Sequence, residues 1–277
     1  MWGLNWPAMK VVLGELPVAT FRTLCCGFGG LALLALARAS GERLRLPRED
    51  RTPLLWVSLF NVTLWHVGTG VGLTIIAAGR ASIIAFTMPV WAALLAAPIL
   101  GERLTAAKLL GLALGLAGLG FLVAPDFERF LAAPLGVLSV LGAAASWAVG
   151  TVLMKRHRWS ISTAQLSGWQ LLVGGVPIFA AAPILDDPLA ALAAMSAEAA
   201  LTLVFILVFA MVFAQWTWVR LVRVLPASVA AIGSMAVPVV GVFSSALLIG
   251  EGLGVAELAS LALVVAAIAL VLLPRRS

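Results

Sequence analysis

Charge is scarce in this chain. Only 11% of its 277 residues are Asp, Glu, Lys or Arg, against 62% apolar residues and a mean hydropathy of +1.11. A soluble domain carries about a quarter charged residues, so a water-soluble globule is excluded. Histidine and cysteine are scarcer still, with two of each. His66 and His157 have no cysteine or carboxylate at metal-ligand spacing, so no metal is expected. Cys25 and Cys26 are adjacent within an apolar run and read as two small buried residues rather than a disulfide. No glycine-rich phosphate loop with its lysine occurs, so ATP hydrolysis is not expected, nor any cofactor. The opening Met1-Trp2-Gly3-Leu4-Asn5-Trp6-Pro7 has no basic segment of the kind that begins a signal peptide.

What is present is a series of apolar runs. A helix needs roughly 20 apolar residues to cross a bilayer, and only helices satisfy their backbone there without a closed barrel. The runs predict spans over 1–10, 16–37, 53–77, 80–100, 105–123, 133–154, 163–184, 197–219, 226–249 and 255–273. The first is too short to cross, since nine residues precede Lys10. The net charge of +6 does not point to nucleic acid, because the basic residues lie between the apolar runs. Of the 18 Lys and Arg, all but Lys10, Arg22, Arg80 and Arg129 fall on the side of the N-terminus and the even-numbered loops. The positive-inside rule then puts both termini in the cytoplasm, with the lipid bilayer as the chain's surroundings.

The two halves resemble each other. Trp2 and Lys10 recur as Trp147 and Lys155, and Gly29-Gly30 as Gly174-Gly175, all 145 positions on. Pro89 recurs as Pro238 and Gly101-Glu102 as Gly250-Glu251, 149 positions on. The expected organisation is a first five-helix repeat over 1–124 and a second over 133–273. An odd number of helices turns the second repeat upside down, so the fold class is an all-α membrane protein of about ten transmembrane helices in two inverted five-helix repeats. Inverted repeats are a common transporter construction, with substrate held between them at mid-membrane.

The runs Ala78-Gly79-Arg80-Ala81-Ser82, Thr87-Met88-Pro89-Val90-Trp91 and Gly101-Glu102-Arg103-Leu104-Thr105 add a second kind of signal. With the tryptophans of spans 1 and 6, the glycine-rich span 5 and the echo of Pro238 and Gly250-Glu251, the chain resembles an EamA-type permease of the drug/metabolite transporter superfamily. The resemblance covers nearly the whole chain. It implies a ten-helix fold, export of metabolites or toxic compounds, and a bacterial inner membrane. The short first span departs from the family's ten full spans.

Within the spans, polar groups are few enough to name. His66 is the only histidine at membrane depth, and Thr63, Thr69 and Gly70 share its helical face. Gln215 lies 149 positions beyond it. Both are read as lining the substrate path, with interhelical hydrogen bonding as the other reading. Asn5, Trp2, Trp91, Trp147 and Trp216 complete the expected cavity, although packing alone also explains a buried tryptophan. Pro89 and Pro238 are read as mid-helix kinks that are either hinges or fixed bends. Arg22 is read as snorkelling outward from the second span, the alternative being a cavity group that holds a carboxylate. Gly101 is read as a helix stop, and Glu102 as a charge favoured near the next helix start. Gly111, Gly115 and Gly118 form a packing stripe within a monomer or across a homodimer.

Every carboxylate sits near a predicted helix end. A sodium site or acidic proton relay at mid-membrane is therefore not expected, and neutral, zwitterionic or aromatic solutes fit better than strong cations. The expected function is a secondary transporter, not an enzyme. It moves a small organic solute such as an amino acid, metabolite or amphipathic compound, by alternating access and in the direction of export. The competing readings are an intramembrane enzyme on a lipid-linked substrate and a channel.

Overall fold

The computed structural model describes residues 1–76, 78–123, 133–240 and 255–272. Every regular element among them is helical. α1 is Trp2–Leu13 and α2 is Val18–Ala39. α3 runs Arg48–Ile75, and α4 comes in two pieces, Ala78–Ala85 and Met88–Leu100. α5 is Ala106–Val123, α6 Pro134–Arg156 and α7 Thr163–Leu185. A short helix, Pro188–Ala193, leads to α8, Ala197–Val224. α9 begins as Ala227–Ser234 and extends to residue 240, and α10 is Val255–Leu272. Among the described residues six helices are long and apolar enough to cross a membrane: α2, α3, the Ala81–Leu100 stretch of α4, α6, α7 and α8. Shorter apolar stretches lie in α5, α9 and α10. α1 reaches Leu13, past the expected end at residue 10, yet at 1.5 Å per residue its 12 residues extend only about 18 Å.

Local chemistry sets the ends. Ser162 and Ser196 cap α7 and α8 by accepting the amides of Gln165 and Ala199 at 3.2 Å. Gly101, at φ 67°, closes α4 in the left-handed conformation that only glycine adopts freely. Glu102 does stabilise a helix start, but that of α9 rather than of α5. Its carboxylate accepts the Ala227 amide at 2.8 Å and the Ser228 hydroxyl, and pairs with Lys108 at 2.9 Å. The equivalent Gly250-Glu251 lies outside the described residues.

α4 is interrupted at Phe86 and Thr87, in the turn before Pro89, which sits in the first turn of its second piece. There its missing N–H would be unbonded in any case, so the ring is tolerated at no cost. α9 breaks likewise at Met235, three residues before Pro238. Two further helices depart from α geometry where no proline is present. α3 carries a π-helical segment, Leu59–Leu64, and α8 another, Ile206–Ala214. Each holds one residue more per turn than an α-helix and lies just before an expected cavity residue, His66 or Gln215.

Small residues bring the central helices together. Gly30 of α2 and Gly168 of α7 face each other so closely that a methyl on either would lie about 3 Å from the other's carbonyl oxygen, at 3.1 and 3.0 Å. Gly29 is closed upon by Met211 of α8, and Gly174 by Ser58 and Val62 of α3. Cys25 and Cys26 are free thiols buried in this seam. Gly115 and Gly118 of α5 face Met235 and the Ser260–Val264 stretch of α10, so at those positions the glycine stripe is used within the chain.

A central cavity between two sets of end contacts

α1, α2, α3, α6 and α8 surround a small cavity, with the break of α4 at its edge. The expected residues Trp2, Asn5, His66, Thr69, Trp147 and Gln215 all line it. Trp91 and Trp216 do not. They are 37% and 41% exposed on the outside of the bundle, Trp216 in a separate groove beside Glu42 and Arg220. α4 is apolar on every side around Trp91, so nothing in sequence told its facing, whereas Trp216 shares a helical face with Arg220 and Arg223 at i+4 and i+7, a signal that it points outward.

Arg22 also lines the cavity and is only 4% exposed, so the snorkelling expectation is corrected. Its Nη2 donates to Thr69 Oγ1 at 2.9 Å and its Nη1 to Met9 Sδ at 3.4 Å. The guanidinium carbon stands 5.0 Å from the centre of the Phe21 ring. The signal was available. Arg22, Cys25, Cys26 and Gly29 recur at i, i+3, i+4 and i+7, the stripe of one helical face, and its other members are small buried residues.

His66 owes its pose to the π segment before it. A π turn leaves carbonyls without their i+4 amide, and the ring Nδ1 reaches back to Val62 O at 2.9 Å. A carbonyl only accepts, so Nδ1 carries the proton and Nε2 is left as an acceptor. One turn on, Thr69 donates to Trp65 O at 2.7 Å, which turns its oxygen lone pairs toward Arg22. Thr63 donates to Gly174 O at 2.6 Å and ties α3 to α7.

The aromatic wall is a connected cluster centred on Trp147. Its ring lies 4.7 Å from Trp65, 5.9 Å from Trp2 and 5.7 Å from Trp218. Trp6 joins through Trp65 at 6.5 Å. Trp6, Trp65, Met9, Phe86, Met88 and Met211 were not among the expected lining residues. Room for water centres inside amounts to about 60 Å3, a few molecules' worth at roughly 10–15 Å3 each. A metabolite needs the walls to part.

Hydrogen bonds tie the helices together at both ends of the bundle. At the end where α1 turns into α2, Glu15 accepts the Ser196 amide at 2.7 Å and its hydroxyl at 2.6 Å. Asp186 accepts the amide and hydroxyl of Thr20, both at 2.8 Å. At the opposite end Glu42 accepts from Ser162 and Gln165, both at 2.6 Å. Asp50 accepts from His157 Nε2 at 2.7 Å and from Ser160 at 2.6 Å. These donors hold the Glu15 and Glu42 carboxyls below the usual carboxylate range, Ser196 acting on the first and Ser162 and Gln165 on the second.

The model of the EamA-like transporter family matches residues 1–124 and 134–273, almost the entire chain. The chain belongs to that family. The transporter is 32% identical over 272 residues to the uncharacterized transporter YvbV of Bacillus subtilis, covering 98% of this chain and 88% of that one. An Escherichia coli protein named "Probable amino-acid metabolite efflux pump" is 27% identical, over 91% of this chain and 85% of its own. A crystal structure of another protein superposes with a TM-score of 0.83 at 20% identity, covering 98% of this chain and 94% of that one, and shows the same fold. The transporter is thus a multi-pass membrane protein of the drug/metabolite superfamily.

Proposed function

We propose that the chain is a secondary transporter that exports a small organic solute by alternating access, with the cavity beside His66 and Gln215 as its binding site. The observation that carries this reading is a buried polar and aromatic cavity that lies between two sets of breakable contacts, one at each end of the bundle. A channel would need one continuous path. A carrier needs two closures that open in turn.

The reading includes ten spans in two inverted five-helix repeats, over 1–124 and 133–273, in a bacterial inner membrane with both termini in the cytoplasm. Contacts related by the sequence shifts support it. Gly29 against Met211 and Gly174 against Val62 are one contact made twice, with members 145 and 149 apart. The end contacts pair likewise. Thr20 and Gln165 are donors 145 apart, and their acceptors Asp186 and Glu42 lie at opposite ends. The breaks before Pro89 and Pro238 are where each repeat can bend. The aromatic wall favours a flat or apolar solute body, and the names of relatives favour amino acids and their metabolites.

The test is counterflow in proteoliposomes. Vesicles preloaded with one unlabelled member of a panel of acidic, neutral and basic metabolites are diluted into its labelled form. Saturable uptake above that of empty liposomes supports a carrier. Flux linear in concentration and insensitive to preloading would mean a channel, and no flux for any solute would remove the transport reading.

A further inference from the structure

The cavity holds a positive charge with no carboxylate to balance it among the described residues. Arg22 is the fifth residue of α2, about 6 Å along the helix axis, and is buried among α1, α3 and its own helix. Its partners are a hydroxyl, a thioether, an aromatic ring and the neighbouring Cys25 thiol, all uncharged. Its Nε is buried and donates to nothing among the described residues. The described ion pairs join Lys108 to Glu102 and His157 to Asp50, both near helix ends and neither reaching Arg22. A guanidinium taken out of water without a counter-charge is strongly disfavoured. Natural folds retain such a group where an anion arrives to pair with it, and a guanidinium fork matches a carboxylate in shape.

The surroundings repeat the pattern. Trp147 Nε1 is a second buried donor without a partner on the same wall. Among the described lining residues none is Asp or Glu. A cationic solute would meet repulsion there, and a neutral one would leave the charge unpaired.

We infer that Arg22 is the specificity-determining residue of this transporter and that its solutes carry a carboxylate, held by the guanidinium while the apolar remainder lies against the tryptophans. This rests on the reading of the cavity as a solute site. Thr69 and Met9 hold the guanidinium in place between arrivals. Trp147 adds a neutral donor beside it.

The experiment compares acids with their neutral amides: phenylacetate with phenylacetamide, benzoate with benzamide, and isovalerate with isovaleramide. Binding to the detergent-purified protein is read by thermal stabilisation, and flux by counterflow. At least one acid should stabilise the wild type at a concentration about tenfold or more below its amide. Arg22→Lys should keep that preference and Arg22→Gln should abolish it. Equal stabilisation by acid and amide, stabilisation by neither, or an acid preference that survives in Arg22→Gln overturns the inference. Should Arg22→Gln fail to fold, the wild-type comparison of each acid with its amide still decides. Acid-selective stabilisation without any flux would sustain the carboxylate site and overturn the carrier reading. Flux of amines or amides in preference to acids would do the reverse.

Discussion

One methyl group added at Gly174 tests how tightly α7 is held against α3. Its carbon would lie 2.5 Å from Val62 Cβ, 2.6 Å from Ser58 O and 2.9 Å from Val62 Cγ1. Carbon atoms rest about 3.5–4.0 Å apart, so the helices must separate by roughly 1 Å. Backbone and Cβ atoms cannot swing aside, so a smaller residue at Val62 gives little relief. Overpacking of this kind costs roughly 1–3 kcal/mol. Stretching the Thr63 bond to Gly174 O costs about 1 kcal/mol more, and replacing a helical glycine by alanine returns roughly 0.5–1 kcal/mol. The net expectation for Gly174→Ala is a loss of about 1–3 kcal/mol. Two controls calibrate it. At Gly30 the methyl meets mainly the Leu172 side chain, at 2.6 Å, which can rotate, so Gly30→Ala costs less. At Gly142 it meets nothing within 4 Å, and Gly142→Ala is neutral or slightly stabilising. Thermal unfolding of the detergent-solubilised protein gives the order, with midpoints falling from Gly142→Ala through Gly30→Ala to Gly174→Ala. A Gly174→Ala midpoint equal to wild type would refute the close approach of the two helices.

His66→Ala and Gln215→Ala should each raise the half-saturation concentration for counterflow by about tenfold, the scale of one lost polar contact; unchanged kinetics in both would remove them from the solute path. The end contacts should act in opposite senses. With Cys25 and Cys26 replaced and a cysteine placed at Asn5, Glu42→Gln should speed labelling by an impermeant maleimide from the side of the α2–α3 loop, and Ser196→Ala from the other side; the same response from both variants would deny that these contacts are separate closures. The Glu42 carboxyl is held low by Ser162 and Gln165, so its contact contributes fully above the unfolded carboxylate value of about 4.3 and is lost as pH falls through the lower folded value. Labelling at Asn5 from that side should therefore rise in acid in the wild type but not in Glu42→Gln, and an equal rise in both would refute the assignment.

Much of this fold was legible because bilayer helices announce themselves by length and by their punctuation. Ser162, Ser196 and Gly101 end or begin helices as their chemistry predicts. His66 and Gln215 stood out because a polar group at membrane depth has few places to go. Facing was the part that failed. A soluble helix shows its buried side by contrast with a polar side, but α4 is apolar all round near Trp91, and Trp216 was assigned inward by depth although Arg220 and Arg223 share its helical face. Arg22 failed for the same reason in the other direction: its position near a helix end suggested escape to water, while its face pointed inward. Nothing in Leu59–Leu64 or Ile206–Ala214 marks them as π-helical, because the wider turn is set by how α3 and α8 fit their neighbours.

That wider turn has a genetic consequence. A π segment is an α-helix holding one residue too many, so removing that residue restores the regular turn and leaves the helix beyond it nearly in register, whereas the same deletion in a regular α-helix would rotate everything beyond it by about 100°. His66 is the second residue after the first segment and Gln215 the first residue after the second. A single-codon deletion within 59–64 or 206–214 would therefore leave an intact apolar helix with His66 or Gln215 still facing the cavity, and would change only the side chains of the segment itself. In this chain the two helices that carry His66 and Gln215 can each lose one residue at these segments without losing the facing of the cavity wall.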